Sequence, residues 1–500
     1  MKLVYKRNSI QKLIFPILLF AAGLLHGQSQ IGSTLLGVEA YDGTGDVVAI
    51  NGLGDKIIFS SRFVEQGSFE RAGEVKVYEL QNDNWLQLGT TLKGTETREE
   101  LGTSVDINES GTRIAVSSKN GVRVYDLENG DWKLNYNYPT FPDFDETTGG
   151  SGRVRFANNG KILVATKGRF ETGNVVVYEE TNGSWSKKGN SIFTDSEIST
   201  IAVSKDGNRL AIPDEFMVTF SNGLGYYSNL RVYDFESNNW VKSYEIVVSD
   251  SADIASSDTR SVSLSEGFDF SADGNRLLII TSNDELVDGQ GFLRTFDFEN
   301  NTWNENIPTQ EISIDNPFGT TLRLSDDGNI AVIGVTDDVW SEQPNYVQVL
   351  QFDNQSWKEI GSRFTGSQSD EYANNFVDIT SNGERIIWGG KMNTPTDSLG
   401  TIKIYNYDSV LPVNENSLSQ NAIMIYPNPS TDFIYIDYAS ETSYNVNLTN
   451  INGQILKTIR DISGEIQIAI NDLKNGIYFL TVYIDDLKNS VTKKILKVVD

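Results

Sequence analysis

Along most of the chain, apolar residues come in short runs separated by Gly, Asn, Asp and Ser. Such runs are too short for helices, and their turn-residue boundaries predict β-strands. One arrangement recurs. A turn ending in Gly precedes an apolar strand: Glu109-Ser110-Gly111 before Ile114-Ala115-Val116, and Asp206-Gly207 before Leu210-Ala211-Ile212. Asp273-Gly274, Asp327-Gly328 and Asn382-Gly383 take the same role. Asp-Gly and Asn-Gly supply the positive φ angles of a type I′ turn, so each predicts a two-residue hairpin. Farther on, an aromatic residue or Leu is followed seven positions later by Trp: Tyr78/Trp85, Tyr125/Trp132, Tyr178/Trp185, Tyr233/Trp240, Phe296/Trp303 and Leu350/Trp357.

Gly54, Gly111, Gly160, Gly207, Gly274, Gly328 and Gly383 mark seven units spaced about 55 residues apart. Each reads as four strands; in the second unit they are Ser104–Ile107, Arg113–Ser117, Gly121–Tyr125 and Trp132–Leu134. Four-stranded sheets repeated around an axis make a β-propeller. The seventh unit ends at Tyr405, with Pro412 where its Trp would stand. Its missing strand lies at the other end of the chain, because the stretch from Gln30 to Gly37 (QIGSTLLG) matches that from Gln87 to Gly94 (QLGTTLKG). The expected fold is all-β: a seven-bladed propeller over 30–410, closed by an N-terminal strap strand that hides two otherwise unpaired edges. After a polar linker, 411–420, short strands at Ile434–Tyr438, Tyr444–Thr449, Ile466–Ile470, Tyr478–Ile484 and Thr492–Val499 predict a small Ig-like β-sandwich over 421–500.

Composition narrows the chemistry. The 500 residues include no Cys and one His, His26. That His falls in residues 1–29, where Lys2, Lys6, Arg7 and Lys12 precede the apolar run Leu13–Leu25 and then Gly27 and Ser29. This is the order of a secretory signal peptide. As a helix the run spans about 20 Å against a hydrocarbon core of roughly 30 Å, so no transmembrane segment is expected. Without the leader the chain has neither His nor Cys. Ser-His-Asp and Cys-His catalysis are excluded, as are zinc sites built on imidazole or thiolate. Losing the four leader cations takes the net charge from −27 to −31, which opposes binding to nucleic acid. No P-loop, dinucleotide fingerprint or EF-hand occurs, so no cofactor is expected.

Residues repeated in every unit are most simply structural, the Trp and Tyr series packing between blades. Function is expected where units differ, in the loops joining second to third strands and one blade to the next. Those loops carry Asp143 and Asp145 beside Phe144, then Tyr226 and Tyr227, Asp284 and Glu285, and Asp337 and Asp338 beside Trp340. Aromatic faces beside carboxylates suit sugar stacking with hydrogen bonds to hydroxyls, and oxygen ligands of this kind also suit Ca²⁺.

Two family resemblances extend this reading. Phe318-Gly319-Thr320-Thr321 and Leu101-Gly102-Thr103-Ser104, with Ala331-Val332-Ile333-Gly334 after the first, resemble the repeats of the FG-GAP, integrin-α-like propellers. No Asp-x-Asp-x-Asp-Gly calcium loop accompanies them, so that family's metal sites do not carry over. The C-terminal module resembles the type A C-terminal sorting domain of the type IX secretion system. Its matching residues are Tyr426-Pro427-Asn428-Pro429, Asn452-Gly453-Gln454, Leu473-Lys474-Asn475-Gly476-Ile477-Tyr478 and Lys493-Lys494-Ile495-Leu496-Lys497. That resemblance implies the type IX machinery as a partner, export through the inner membrane, and delivery to the outer-membrane surface or the extracellular space. The expected function is non-enzymatic: an exported binding or adhesion protein that recognises a glycan or a surface protein. One alternative is a carboxylate-based polysaccharide-active enzyme, which needs two acids about 5–10 Å apart. The other is a structural surface-layer component.

Overall fold

The computed structural model describes residues 28–39, 41–138, 152–169, 172–195, 198, 200–220, 223–247, 267–282, 290–313, 320–335, 346–365, 376–391, 399–407, 423–426, 430–438, 444–450, 454–462, 464, 466–484 and 489–498. The chain divides into two compact units, one up to Ser409 and one from Val410.

In the first unit the described strands form seven antiparallel sheets of four or five strands. Sheets one to six occupy 44–93, 105–138, 154–194, 202–247, 268–313 and 321–365, and sheet seven joins 376–407 to 28–36. Second strands such as Lys56–Ser61 and Ile330–Val335 are buried at every position. They read as continuous apolar runs because a neighbouring sheet covers each face. Seven apolar clusters fill the junctions. Ile58 and Val77 meet Ile114, Val116 and Trp132 between sheets one and two. Clusters of the same kind join two to three, three to four, four to five, five to six and six to seven. The last joins seven to one, with Ile387, Ile402 and Ile404 against Ile50, Ile57, Phe59 and Trp85. The sheets therefore follow one another in a closed cycle, a β-propeller-like fold.

The turns differ from expectation in an instructive way. Two successive positive φ angles occur between third and fourth strands, at Asn82-Asp83, Asn129-Gly130, Asn182-Gly183, Ser237-Asn238, Asn300-Asn301 and Asn354-Gln355. These hairpins explain the seven-residue spacing to Trp, since they pair Leu80 with Trp85, Leu127 with Trp132 and Phe235 with Trp240. The Gly-marked turns between first and second strands are not the expected type I′ hairpins. In sheets four to seven only their Gly is left-handed. Gly274 N–H donates to Ser271 O at 2.8 Å, so a β-turn precedes the left-handed residue. Asp273 acts through its side chain, with Oδ1 accepting from Ser271 Oγ at 2.7 Å and from Asn275 N–H at 2.9 Å. The acid is there as a turn cap, not for a positive φ.

The strap is present. Gln28–Gln30 pairs with Tyr407–Tyr405, and Leu35–Leu36 with Ile402–Thr401. Its likeness to the stretch after Trp85 extends to hydrogen bonds. Gln30 Nε2 donates to Gly32 O and Thr34 Oγ1, both at 3.1 Å; Gln87 Nε2 donates to Gly89 O and Thr91 Oγ1, also at 3.1 Å. Trp85 Nε1 donates to Ile31 O at 3.0 Å, just as Trp132 Nε1 donates to Leu88 O at 3.0 Å. The repeated Trp thus packs on the outer strand of the preceding sheet.

In the second unit, Ile423–Tyr426, Phe433–Tyr438 and Ile466–Ala469 form a three-stranded sheet. A four-stranded sheet runs in the order Ile455–Ile462, Tyr444–Asn450, Gly476–Ile484, Asn489–Lys497. Both contribute to one core that includes Ile434, Ile436, Val446, Leu480 and Ile495. Ile423–Tyr426 and Ile455–Ile462 are strands beyond those expected.

Deleting the chain through Gly37 removes the carbonyl partner of Trp85 and bares the edge of sheet seven. The melting temperature of the first unit is expected to fall by at least about 5 °C. Equal melting with and without the strap, followed by circular dichroism, would show that it contributes nothing to closure.

Candidate functional site

Counting back five positions from each turn glycine gives one residue per first strand: Ala49, Asp106, Arg155, Ala202, Asp269, Arg323 and Asp378. Neighbours such as Val105 and Ile107 turn into a junction while the charged residue between them does not; Ala49 and Ala202 pack within the junctions. The five charged side chains line one cavity of about 200 Å³.

The three carboxylates reach across junctions. Asp106 accepts from Ile107 N–H at 2.9 Å and from Phe156 N–H of sheet three at 2.6 Å. Asp269 accepts from Phe270 N–H at 2.9 Å and from Leu324 N–H of sheet six at 3.0 Å. Asp378 accepts from Ile50 N–H of sheet one at 2.9 Å. Each acid therefore staples its sheet to the next. Burial pushes Asp269 up to about 7 and Asp106 up to about 6, with Arg155 opposing both shifts. Asp378 is raised by the same burial.

The arginines are less fully engaged. Arg323 Nη1 donates to Leu322 O at 2.7 Å. Its Nε is buried without a hydrogen-bond partner, 4.0 Å from Asp378 Oδ1. Arg155 acts electrostatically on all three acids but makes no hydrogen bond or close ion pair among the described residues.

Backbone hydrogen bonds rim the turn end of the cavity. Backbone bonds run from Asn158 N–H to Lys205 O at 2.7 Å, Lys205 to Ala272 at 2.8 Å, Ala272 to Asp326 at 2.9 Å, Asp326 to Ser381 at 2.9 Å, and Ser381 to Gly52 at 3.3 Å. Lys205 Nζ then spans the opening, 2.7 Å from Glu109 Oε1 of sheet two and 2.5 Å from Asp326 Oδ2 of sheet six. Burial disfavours its charge, but the two carboxylates outweigh burial and raise its pKa. Nearer the other end, Arg153 of sheet three lies 5.8 Å from the ring centre of Phe376 in sheet seven.

Asp143, Asp145, Asp284, Glu285, Asp337, Asp338 and Trp340 lie outside the described residues. Tyr226 and Tyr227 are strand residues rather than the loop residues expected. They lie in Gly223–Glu236 and pair with Met217 and Phe216, because the apolar pattern extends this hairpin out to Phe220. Of the expected sorting residues, Tyr426 is exposed and stacks on Tyr435, ring centres 5.7 Å apart. Gly476 and Lys497 are paired, as are Lys493 and Leu480, and Lys494 and Phe479. Pro427, Asn428, Pro429 and Gly453 lie outside the described residues.

One part of the expected loop face is described, and the sequence reading passed over it. The loop following Lys56–Ser61 places the Phe63 ring between two guanidinium groups, Arg62 at 4.5 Å and Arg71 at 4.3 Å. Arg71 and Lys119 each lie 2.7 Å from the buried Glu100, and Arg123 lies 2.5 Å from the buried Glu99. On this braced frame Tyr41 and Phe69 stand out, 61% and 40% exposed. The dense Arg/Glu pattern of SFERAGE and TETREELG is the signal that points to it.

Residues 424–498 match the secretion system C-terminal sorting domain family. The chain therefore carries a type IX sorting module, which directs export to the cell surface or the extracellular space. No curated protein is similar to this chain in sequence. Solved structures with a similar arrangement include oligogalacturonate lyase from Vibrio parahaemolyticus (12% identity, 76% of this chain and 93% of that one, TM-score 0.46). Others are Sqt1 of Chaetomium thermophilum (12%, 75% and 98%, TM-score 0.45) and the periplasmic gluconolactonase of Pseudomonas aeruginosa (13%, 64% and 84%, TM-score 0.41).

The raised carboxyls set a pH dependence. Unfolded, they titrate near about 4. Between about pH 4 and 7 the folded state thus holds protons that the unfolded chain has released. Their stabilisation is complete below that window and is lost as pH rises through about 6 and 7. The melting temperature of the first unit is expected to fall between pH 5.5 and pH 8, with a shallower slope in Asp269→Asn. An unchanged slope in that variant would remove Asp269 from this account.

Proposed function

We propose that the first unit is a seven-bladed β-propeller that works outside the cell as a binding or adhesion protein, delivered there by an Ig-like sorting sandwich. The face formed by the loops joining second to third strands and one blade to the next recognises a glycan or a surface protein. The leader at 1–29 takes the chain through the inner membrane, and the type IX machinery takes it farther. The observation that carries this reading is the ion-paired platform of sheets one and two, where Tyr41 and Phe69 are exposed in loops that also hold Arg71 and the buried acids Glu99 and Glu100. Rigid aromatic faces flanked by polar groups suit sugars and protein hot spots alike. Trp340, Asp337 and Asp338, outside the described residues, are assigned to this face from their place in the sequence alone, and carboxylates of that kind suit Ca²⁺.

A second reading has its own support. Asp106 and Asp269 are raised into the range of a general acid, as a carboxylate-based polysaccharide-active enzyme requires. Against it, both side chains already accept backbone N–H groups across junctions.

A glycan array with the exported chain, with and without millimolar Ca²⁺, tests the binding reading. Phe69→Ala and Trp340→Ala are expected to weaken the signal at least tenfold. Binding unaffected by both substitutions would move the ligand off this face. Release of reducing ends from the bound glycan, abolished in Asp269→Asn, would favour the enzyme.

A further inference from the structure

In the inward ring the acids are taken up by backbone N–H groups, and the two arginines are left with few partners. Arg155, half-buried on the cavity wall, makes no side-chain hydrogen bond among the described residues, and Arg323 has a buried Nε with no partner. Leaving charged donors unpaired away from water is costly, so such groups ordinarily find an acceptor. The nearby carboxylates do not supply one. Asp106, Asp269 and Asp378 are held by backbone N–H groups of the next sheet, and the closest approach to Arg323 Nε is 4.0 Å.

We propose that this cavity binds a small oxyanion, a carboxylate or an inorganic phosphate, between Arg155 and Arg323. The planar guanidinium fork matches two oxygens of such a group. The cavity, about 200 Å³, admits a molecule up to the size of a sugar acid. Lys205, fixed between Glu109 and Asp326, crosses the turn end. Three acids beside two arginines argue against an anion if all are ionised. Burial offsets that objection, because it keeps Asp106 and Asp269 partly protonated near neutral pH, and a protonated carboxyl adds a donor. This site is separate from the loop platform, so it stands or falls independently of the binding reading above.

Isothermal titration of the full exported chain with acetate, inorganic phosphate and D-galacturonate, each at millimolar concentration, tests the proposal. One equivalent of at least one anion is expected to bind. Arg155→Met and Arg323→Met are each expected to weaken it at least tenfold, while Arg98→Ala, on the exposed loop, leaves it unchanged. Arg155→Lys keeps the charge without the fork and is expected to fall between. Circular dichroism and melting of each variant separate lost binding from lost folding. Binding of phosphate alone would identify the inorganic ion, and binding of galacturonate or acetate the carboxylate. No binding by any of the three, or full affinity in a folded Arg155→Met/Arg323→Met chain, would overturn the proposal.

Discussion

The first unit depends on one close approach, repeated seven times. In each sheet the residue two positions after the turn glycine lies over the turn glycine of the next sheet. Lys56 covers Gly111, Arg113 covers Gly160, Ile162 covers Gly207 and Arg209 covers Gly274. Arg276 then covers Gly328, Ile330 covers Gly383, and Arg385 returns to Gly54. A Cβ on Gly207 would come within 2.5 Å of Ile162 Cδ1, and one on Gly54 within 2.8 Å of Arg385 Cδ. All seven glycines also have positive φ. Two independent demands, backbone conformation and space, fall on one residue, and no other amino acid meets both at low cost.

The same contact is made polar where the covering residue is Arg. Arg113 donates to Gly160 O at 3.0 Å, Arg209 to Gly274 O at 2.9 Å, Arg276 to Gly328 O at 3.2 Å and Arg385 to Gly54 O at 2.7 Å. Ile162 and Ile330 fill the space without the bond, as the side chain of Lys56 does over Gly111. Because the glycine fixes each turn against its neighbour, positions counted from it fall at equivalent places in every sheet. Five back lies the inward ring, and two back lies the turn end carrying Lys205, Glu109 and Asp326. The cavity is therefore a consequence of the junction geometry.

Much of this was legible in the sequence, because a repeated junction repeats its residues. The seven glycines, the six Trp pairs and the strap's likeness to residues 87–94 all record contacts that recur. Turn type was misread because Asp-Gly fits two turns, and only hydrogen bonding separates a cap on the acid side chain from a left-handed acid. The inward ring was missed for a different reason. Asp106, Arg155 and Asp269 occupy one structural position with opposite charges, and a search for repeated identity passes over a position whose residue type changes. Fixed spacing from the glycine is the signal that finds it. Tyr226 and Tyr227 show the converse limit, since aromatic residues near a turn belong to a loop or a lengthened hairpin according to pairing that composition does not specify.

Closing the cycle joins residues near both ends of the first unit. Pairing Gln30 with Tyr405 closes a loop of some 375 residues, but the entropic cost grows only as the logarithm of length, about 5 kcal/mol. Fully burying two or three Ile or Phe side chains, at about 1.5–3 kcal/mol each, matches that cost. The seven-to-one junction buries nine apolar side chains, including Ile387, Ile402, Ile404 and Phe59. The seam is therefore held by the same apolar packing as the six junctions where sheets are consecutive in sequence. Asp378, bonded to Ile50 N–H across that seam, repeats the staple used by Asp106 and Asp269 elsewhere. A strand borrowed from the far end of the chain makes the last junction equivalent to the rest.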